Sequence, residues 1–269
     1  MSYQVLSGVG RPCAGLQNPA ISPPSRLSAP LFATTPMSAD NALHQRRRAP
    51  ASAELAVIPW LRLLSPQERA HAVAVLQVSD AEPGDVVCRF GRAPTYWFGV
   101  VEGLLKMSTD TDRGQTVTFA GMAPGGWFGE GTVLKREPYR YNIQALRRSV
   151  VGGLPIESFH WLLDHSIGFN RFVMNQLNER LSQFIVALET DRLTSPDARV
   201  ARSLAALFNP VLYPAVGDML RITQQELAYL VGLSRQRVNQ ALAALQERGW
   251  ISIEYGGLRV LDLAALRGG

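Results

Sequence analysis

The sequence predicts an α+β fold, in which an N-terminal β-sandwich or jelly-roll domain leads through a long helix into a C-terminal winged helix-turn-helix. Three features of the chain carry this prediction. Short β-rich runs separated by glycine fill residues 82–155. Apolar residues recur every three or four positions over residues 169–193. Between residues 222 and 261, two capped helical segments are followed by a hairpin signal.

Composition limits the class of protein. The chain has 269 residues, 46% of them hydrophobic and 18% charged, which suits one or two domains with a buried core. No apolar run approaches the roughly 18 residues of a membrane-spanning helix, so we expect a soluble, cytoplasmic protein without a membrane partner. The two cysteines, Cys13 and Cys88, form no disulfide framework. The histidines lack the spacing of metal ligands; they are His44, His71, His160 and His165.

Most of the net charge of +5 lies in the first fifty residues, which carry five arginines and one aspartate. Residues 194–269 carry eight arginines and six acidic residues, so global charge alone does not argue for nucleic-acid binding. Residues 1–50 are rich in proline, serine and alanine, and we expect a disordered tail. A targeting peptide and an over-extended gene start, with Met37 as the true first residue, are both open alternatives.

A β-domain is expected over residues 51–167. It begins with a short helical region, Glu54 to Leu76, in which Pro66 follows Ser65 at the first position of a helix. The β-rich runs then follow, and they read DVVCRF, YWFGVV, LLKMST, QTVTFA and YNIQAL. Regular short strands with glycine-containing turns indicate an antiparallel sandwich or barrel. A brief helix is predicted from Ser158 to Leu163.

The long helix, placed at residues 168–193, is predicted to mediate dimerisation. Five of its apolar residues are spaced 3, 4, 3, 4, as in a coiled-coil seam; they are Met174, Leu177, Leu181, Phe184 and Leu188. Flanking Phe172, Val173 and Ile185 widen the apolar surface. A helix with two apolar faces needs two partners, so we expect one face on the β-domain and the seam in a homodimer. A helix buried wholly within one chain is the alternative.

The C-terminal domain, residues 194–269, opens with a helix that starts at Ser195-Pro196 and ends at Asn209-Pro210. Its inward residues are Val200, Leu204, Leu207 and Phe208. A second helix follows the capping box of Thr223 and Glu226, and Gly232 allows the turn after it.

Ser234 is a good N-cap for the next helix, and Gly249 suits its C-terminal end. One apolar stripe runs along that helix; it consists of Val238, Ala241, Leu242 and Leu245. Gly256-Gly257 predicts the turn of a two-stranded wing between ISIEY and LRVL.

The opposite face of this last helix is polar and carries no acidic residue. Its side chains are Arg235, Gln236, Arg237, Asn239 and Gln240. Such groups can contact base edges and phosphates in double-stranded DNA. We expect Arg235, Gln236, Asn239 and Gln240 to read the major groove, and Arg237 to belong to the same DNA-binding surface. Thr223, Gln225 and Ser234 are expected to contact phosphates. A dimer would then bind half-sites about one helical turn apart on an inverted repeat. A solvated polar face on a purely structural helix pair is the alternative.

This order of domains resembles the Crp/Fnr family of bacterial transcription regulators over residues 55–265. The resemblance is carried by ITQQELAYLVGLSRQRVNQAL and by PGGWFGEGTVL, which is similar to the family's phosphate-binding cassette. It implies a cyclic-nucleotide-binding-like sensor, a homodimer, an inverted-repeat operator and RNA polymerase as a possible partner. Gln236 and Gln240 differ from the family's common Glu and Arg, which implies a half-site unlike its best-known one.

The cassette of cyclic-AMP-binding members begins Gly-Glu, which binds the ribose, and ends with Arg followed by Ser or Thr, which hold the phosphate. The residues that this resemblance implies for an effector are Gly129, Glu130, Gly131, Arg140 and Tyr141. A helix N-terminus and an arginine suit an anion. Tyr141 replaces the small hydroxyl, however, and apolar Phe184 and Ile185 fall near the family's adenine-facing hydroxyls. Cyclic AMP is therefore expected to bind weakly or not at all. A buried Glu130–Arg140 ion pair that holds the fold is the alternative.

Other cofactors and function classes fit the sequence less well. An iron–sulfur switch needs about four cysteines, and no histidine is placed for haem. No Ser-His-Asp-like or metal constellation and no phosphate loop is present, so no enzyme is expected. The alternative to a DNA-binding regulator is a cyclic-nucleotide-responsive module that binds a protein partner through a structural C-terminal domain.

Overall fold

The computed structural model describes residues 46–111, 114–193 and 195–268, without the side chains of 189–193. The predicted tail up to residue 45 lies outside this part of the chain, as do Cys13, Met37 and His44. Residues 46–166 form the β-domain, one long helix follows, and residues 195–268 form the C-terminal domain.

Two antiparallel sheets make up the β-domain. Its strands in the described residues are β1 (Arg47–Arg48), β2 (Gln77–Ala81), β3 (Val86–Cys88), β4 (Tyr96–Glu102), β5 (Leu105–Asp110), β6 (Thr116–Met122), β7 (Trp127–Phe128), β8 (Asn142–Ala145) and β9 (Ser149–Pro155). The strand orders are β1-β2-β9-β4-β7 and β3-β8-β5-β6. Val100 and Val151 of the first sheet share one buried core with Leu105 and Ile143 of the second. This arrangement is the sandwich that the sequence predicts.

Strand β1 corrects the sequence analysis, which places Arg47 and Arg48 in the disordered tail. Arg47 pairs with Ser79 and Arg48 with Val78, so both residues extend the first sheet. The Arg47 guanidinium also lies 3.9 Å from the centre of the Tyr96 ring. Cross-strand hydrogen bonds and this cation–π contact order a segment whose composition alone indicates disorder.

The helices of the β-domain are short. They are α1 (Ser52–Val57), α2 (Pro66–Val75), α3 (Glu130–Lys135) and α4 (Ile156–His165), with a 3₁₀ helix over Pro59–Leu63. The single helical region predicted from Glu54 to Leu76 is therefore three pieces, because Pro59 and Pro66 have no N–H with which to continue a helix. Ser65 caps α2, and its N–H donates to the Glu68 carboxylate at 2.8 Å.

The long helix is α5 (Ile167–Leu193), which begins one residue before the predicted range of 168–193. An aromatic cluster fixes its first turns to the β-domain. Phe169 packs edge-on against Trp60 at a centroid distance of 5.4 Å, and Trp97 lies 4.6 Å from Trp127. A Cβ at Gly99 would lie 2.5 Å from the Trp127 ring, so only glycine fits beneath that side chain.

The C-terminal domain contains four described helices and a small sheet. These elements are α6 (Pro196–Leu207), β10 (Met219–Leu220), α7 (Gln224–Val231), α8 (Arg235–Glu247), β11 (Ile251–Glu254), β12 (Gly257–Val260) and α9 (Leu263–Gly268). The predicted capping box is confirmed, since Thr223 Oγ1 accepts from the Glu226 N–H while the Glu226 carboxylate accepts from the Thr223 N–H. Gly232 takes the expected left-handed conformation at φ 65°. The α+β fold is thus confirmed in both of its parts.

The wing differs from the prediction in its turn. Tyr255 and Gly256 form the turn, with Gly256 at φ 81°, whereas Gly257 already pairs with Glu254. A Cβ at Gly257 would lie 2.5 Å from the Leu220 carbonyl oxygen. The second glycine therefore serves the close approach of β10 to β12, not the turn itself.

Candidate nucleic-acid interface and effector cleft

Helix α8 buries one face and exposes the other. The buried side chains are the predicted stripe of Val238, Ala241, Leu242 and Leu245. Ser234 begins the helix by accepting the Arg237 N–H at 3.2 Å. Helix α8 is thus held on the domain by its apolar stripe, and its polar face points to solvent.

The predicted base-reading side chains lie together on that exposed face. Arg235, Gln236, Asn239 and Gln240 are all exposed, and within the described chain Arg235 and Gln236 make no hydrogen bond or ion pair. The Asn239 side-chain oxygen accepts from Gln224 at 2.9 Å, which ties it to the first residue of α7. The face therefore offers unpaired amide and guanidinium donors to a ligand.

Arg237 has a different environment from its neighbours. It is half-buried and donates to Asp197 on α6 at 2.9 Å and to Gln240 at 3.2 Å. This ion pair braces α8 against α6. The sequence analysis does not single out Asp197; an acidic residue in the first turn of α6 is the signal for it.

The residues predicted on phosphates lie at the starts of α7 and α8. Thr223, Gln225 and Ser234 are exposed. The hydroxyl of Thr223 donates to Glu226 at 2.9 Å and that of Ser234 accepts from a backbone N–H, so both are used in capping. Tyr255, at the tip of the wing, is fully exposed and was not predicted as a contact.

We call the region around Gly129, Glu130 and Gly131 the effector cleft. The residues predicted for an effector are only partly brought together there. Gly129 starts α3 in a left-handed conformation, and Gly131 faces Leu177 of α5. Glu130 is 1% exposed and pairs with Arg180 of α5 at 2.8 Å.

Arg140 does not reach this cleft. Its side chain is 82% exposed and lies 3.3 Å from Glu137. The alternative of a Glu130–Arg140 ion pair is therefore wrong, because the loop before β8 turns the Arg140 guanidinium outward and Arg180 takes its place. Sequence reasoning missed Arg180, which is an arginine on the helix face that also carries Val173 and Gln176.

Two tyrosines lie beside Gly129, at the start of the cassette. The ring centroids of Tyr139 and Tyr141 lie 5.8 Å apart, and a Cβ at Gly129 would lie 3.4 Å from the Tyr141 hydroxyl. Burial raises the pKa of both phenols above the usual range, so both are neutral at physiological pH. The space beside Gly129 thus holds neutral rings that offer no charge to an anion.

The predicted seam on α5 divides between two environments. Met174, Leu181 and Leu188 are 56%, 59% and 66% exposed, and with exposed Ile167 they recur every seventh residue. Leu177 and Phe184 are half-buried against their own chain. An apolar stripe four heptad positions long therefore faces solvent along the helix.

Comparison with known proteins places these features in a family. Residues 79–166 match the cyclic nucleotide-binding domain, and residues 198–268 match the Crp-like helix-turn-helix domain. The transcriptional regulator LdrP of Thermus thermophilus is 30% identical over 191 residues, which cover 66% of this chain and 93% of LdrP. The chain belongs to the Crp/Fnr family of transcription regulators.

Other relatives agree with this assignment. The CRP-like cAMP-activated global transcriptional regulator of Mycobacterium tuberculosis is 26% identical over 204 residues, 74% of this chain and 90% of that protein. A shared fold, and no more, is shown by the structure of FixK2 from Bradyrhizobium japonicum, which superposes with a TM-score of 0.58 over 72% of this chain and 96% of that one, at 15% identity. This Crp/Fnr protein is a DNA-binding transcription regulator. None of its described helices is long and apolar enough to cross a membrane.

In this Crp/Fnr regulator, an ion pair joins the β-domain to the helix-turn-helix. The Arg147 guanidinium lies 2.8 Å from the Glu226 carboxylate and donates to the Arg221 carbonyl at 2.6 Å. Glu226 is buried, and it also completes the capping box of α7. Leu230 of the same helix also meets the β-domain, since a Cβ at Gly121 of β6 would lie 2.9 Å from its side chain. The first helix of the motif therefore docks directly on the β-domain.

Removing the Arg147 charge should loosen this contact. We expect Arg147→Met to lower the free energy of unfolding by about 1–3 kcal/mol, because Glu226 loses a charge-assisted partner while staying buried. Arg148→Met is the matched control, since Arg148 is largely exposed and its nearest carboxylate lies 4.0 Å away; it should change stability by less than about 0.5 kcal/mol. Urea denaturation followed by tryptophan fluorescence measures both, and equal midpoints for the two variants would contradict the assigned role of Arg147.

Proposed function

We propose that this regulator acts as a homodimer that reads an inverted-repeat operator through helix α8. The observation that carries the proposal is the exposed face of Arg235, Gln236, Asn239 and Gln240, whose members are polar and in part unpaired. Arginine and amide side chains of this kind pair with base edges in the major groove. Such a protein would act in the bacterial cytoplasm, with RNA polymerase as a further partner.

Dimerisation is supported by the stripe of Ile167, Met174, Leu181 and Leu188. A seven-residue apolar repeat on an exposed helix face is typical of a coiled-coil partner surface. A twofold axis along α5 relates the two copies of α8, which then reach half-sites about one helical turn apart. Gln236 and Gln240 present amides, so the half-site is expected to differ from the one that Glu and Arg read in the best-known members.

Phosphate contacts are assigned to the starts of α7 and α8. Gln225 has an exposed amide, and Thr223 and Ser234 stand beside backbone N–H groups at helix N-termini. Backbone and hydroxyl donors at such positions commonly fix the register of a helix-turn-helix on DNA. A C-terminal domain that binds only a protein partner would need neither this exposed polar face nor a wing.

Selection from random duplex DNA tests the proposal directly. The unaltered protein, without added nucleotide, is expected to enrich an inverted repeat with half-sites about 10–11 base pairs apart, centre to centre. Enrichment of no sequence would refute DNA reading by α8, and enrichment of one half-site alone would refute the twofold arrangement. An α8 variant, Gln236→Ala, should enrich a repeat that is altered at the same position in both halves.

Cyclic AMP is proposed to be unnecessary for DNA binding. The Mycobacterium relative is named as cAMP-activated, but in this chain Arg180 engages Glu130, Arg140 points outward, and the Tyr141 ring lies against Gly129. Each charge-assisted hydrogen bond that a bound phosphate lacks weakens binding by roughly ten- to a hundredfold.

Calorimetry with cyclic AMP, cyclic GMP and cyclic di-GMP tests this expectation. We expect the unaltered protein to give no micromolar binding, and Tyr141→Ser to bind a cyclic nucleotide more tightly than the unaltered protein does. Micromolar binding of cyclic AMP by the unaltered protein, with a matching rise in DNA affinity, would restore the effector-dependent mechanism.

A further inference from the structure

Glu179 of the long helix α5 holds the residues that follow α6 through Asn209. The Asn209 Nδ2 donates to Glu179 Oε1 at 2.6 Å, and Asn209 is 6% exposed. The Asn209 Oδ1 accepts the N–H groups of Val211 and Leu212 at 2.9 and 3.0 Å, so the same side chain also shapes the turn after α6. Hydrogen bonds to a charged group are among the stronger polar contacts in a protein. This one links α5 directly to the C-terminal domain.

Two glutamines on the same face of α5 make similar contacts on either side of Glu179. Gln176 Nε2 donates to the Val211 carbonyl at 2.7 Å, and Gln183 Nε2 donates to the Ala206 carbonyl at 3.1 Å. Spacings of three and four residues place the three side chains along one side of the helix. We call Gln176, Glu179 and Gln183 the polar row. It fixes how the end of α6 lies along α5.

The polar row lies on the side of α5 opposite the exposed apolar stripe. At about 100° per residue, its three side chains lie roughly 140° to 200° around the helix from Met174. Met174 and Leu181 are more than half exposed, whereas Gln176 is 1% exposed. In the proposed dimer the stripe faces the partner, and the polar row faces the C-terminal domain of its own chain. Helix α5 therefore stands between the twofold axis and that domain.

We propose that the polar row sets the half-site spacing that the dimer accepts, an inference that rests on the proposed reading of an inverted repeat by a homodimer. One added base pair moves a half-site by about 3.4 Å and turns it by about 35° around the duplex. A dimer gains from its second half-site only when both α8 helices reach their grooves together. The polar row holds each C-terminal domain at one place on α5, and so holds the two α8 helices at one separation.

The members of the polar row are thus positioning residues, because they act on DNA through the end of α6. The docking of α7 on the β-domain, through Arg147 and Glu226, contributes to the same orientation. Loss of one contact in the row should therefore relax the preferred spacing without releasing the domain. Spacing preference, and not affinity alone, is the property that the row controls.

An exchange of the two groups in the Glu179–Asn209 contact tests the inference. Asn209→Asp keeps the oxygen that accepts from Val211 and Leu212 but places a second carboxylate against Glu179. Glu179→Gln keeps an acceptor for the Asn209 amide and should leave DNA binding unchanged. The double variant, Glu179→Gln with Asn209→Asp, again pairs one amide with one carboxylate, with donor and acceptor interchanged. Circular dichroism and sedimentation first establish that each variant is a folded dimer.

The readout is the affinity for the selected operator and for duplexes whose spacer is one base pair longer or shorter, measured by fluorescence anisotropy. We expect the unaltered protein to bind the operator at least about tenfold more tightly than either spacer variant. In Asn209→Asp this ratio should fall to about threefold or less, because loss of a charge-assisted contact weakens the preference for one arrangement by about ten- to a hundredfold. The double variant should regain the ratio of the unaltered protein.

A purely structural role for the polar row predicts a different result. General destabilisation would lower the affinity for all three duplexes alike, and an unchanged ratio in Asn209→Asp would overturn the inference. Relaxed spacing that the double variant does not restore would also overturn it, as would an unaltered protein that binds all three spacers equally. Ser182→Ala is the matched control, because Ser182 is exposed on α5 and its hydroxyl donates to the Asn178 carbonyl of the same helix. It should keep the ratio of the unaltered protein.

A second variant keeps the test decisive if Asn209→Asp does not fold or dimerise. Gln183→Ala removes one contact of the row, and the Ala206 carbonyl still accepts from the Asn209 N–H at 3.3 Å, so the fold should survive. We expect Gln183→Ala to lower the spacing ratio by about two- to tenfold, as loss of a neutral hydrogen bond predicts. An unchanged ratio would overturn the inference. Failure of the unaltered protein to bind any inverted repeat would instead refute the proposed function.

Discussion

Leu181→Arg is expected to convert the protein into a monomer with little specific DNA affinity. Leu181 lies at the centre of the exposed stripe on α5, with Met174 and Leu188 seven residues away on either side. In a dimer the substitution would bury an unpaired charge from each chain, at a cost of several kcal/mol. In the separate chain the same arginine lies in water, so the fold should survive.

The loss of DNA binding follows from the loss of the second half-site. Two linked DNA-binding domains that bind together gain roughly 10²- to 10⁴-fold in affinity over a single domain. The monomer loses that gain. Sedimentation equilibrium measures the mass, and fluorescence anisotropy on the selected operator measures the affinity. Asn175→Arg is the matched control, because Asn175 is exposed on α5 but lies about 100° around the helix from Met174. It should leave mass and affinity unchanged. A dimeric Leu181→Arg protein would place the interface elsewhere.

Arg235→Ala should weaken binding to the cognate operator by about 1–3 kcal/mol for each half-site and relax one base position. Arg235 is exposed on the first turn of α8 and has no partner in the described chain, so its removal costs no internal contact. The stability of the protein should therefore stay the same while specificity falls. Anisotropy on the operator and on the three single-base variants at each position measures the change.

The affinity of Arg235→Ala for random duplex DNA shows whether Arg235 contacts bases or only phosphates. An equal loss of affinity on cognate and random DNA would show that the guanidinium touches only the backbone. Gln246→Ala is the control, since Gln246 is exposed on the C-terminal half of the same helix. It should alter neither affinity nor base preference.

Local sequence signals predict most of the C-terminal domain because its contacts are local. Thr223, Gly232 and Ser234 act within one helical turn of themselves, and their caps and turn are observed as expected. The sequence predicts the wing turn one residue too late in the chain, because Gly257 is required by the close approach of strand β10 and not by the turn. Strands β1, β2 and β9 were not singled out either, since their pairing joins residues about thirty to seventy positions apart.

Contacts between residues distant in sequence also decide the effector cleft, and the sequence alone does not predict them. The resemblance places Glu130 in the cassette, but spacing alone assigns Arg140 as the cation near it. The structure puts Arg180 there, fifty residues along the chain, because α5 packs Val173 and Arg180 against the β-domain. An arginine within an amphipathic helix is ordinarily a solvated residue, and only the folded chain reveals its buried partner. The exposed apolar stripe of α5, by contrast, follows directly from its seven-residue repeat.

Binding of the unaltered protein to its selected operator, compared with a duplex in which one half-site is scrambled, tests the central claim most directly. The titration is run by fluorescence anisotropy at one fixed salt concentration, with and without cyclic AMP. The account predicts that the intact operator binds at least about a hundredfold more tightly than the half-scrambled duplex and that cyclic AMP changes neither value. Equal affinity for the two duplexes, or operator binding that appears only with cyclic AMP, would contradict it.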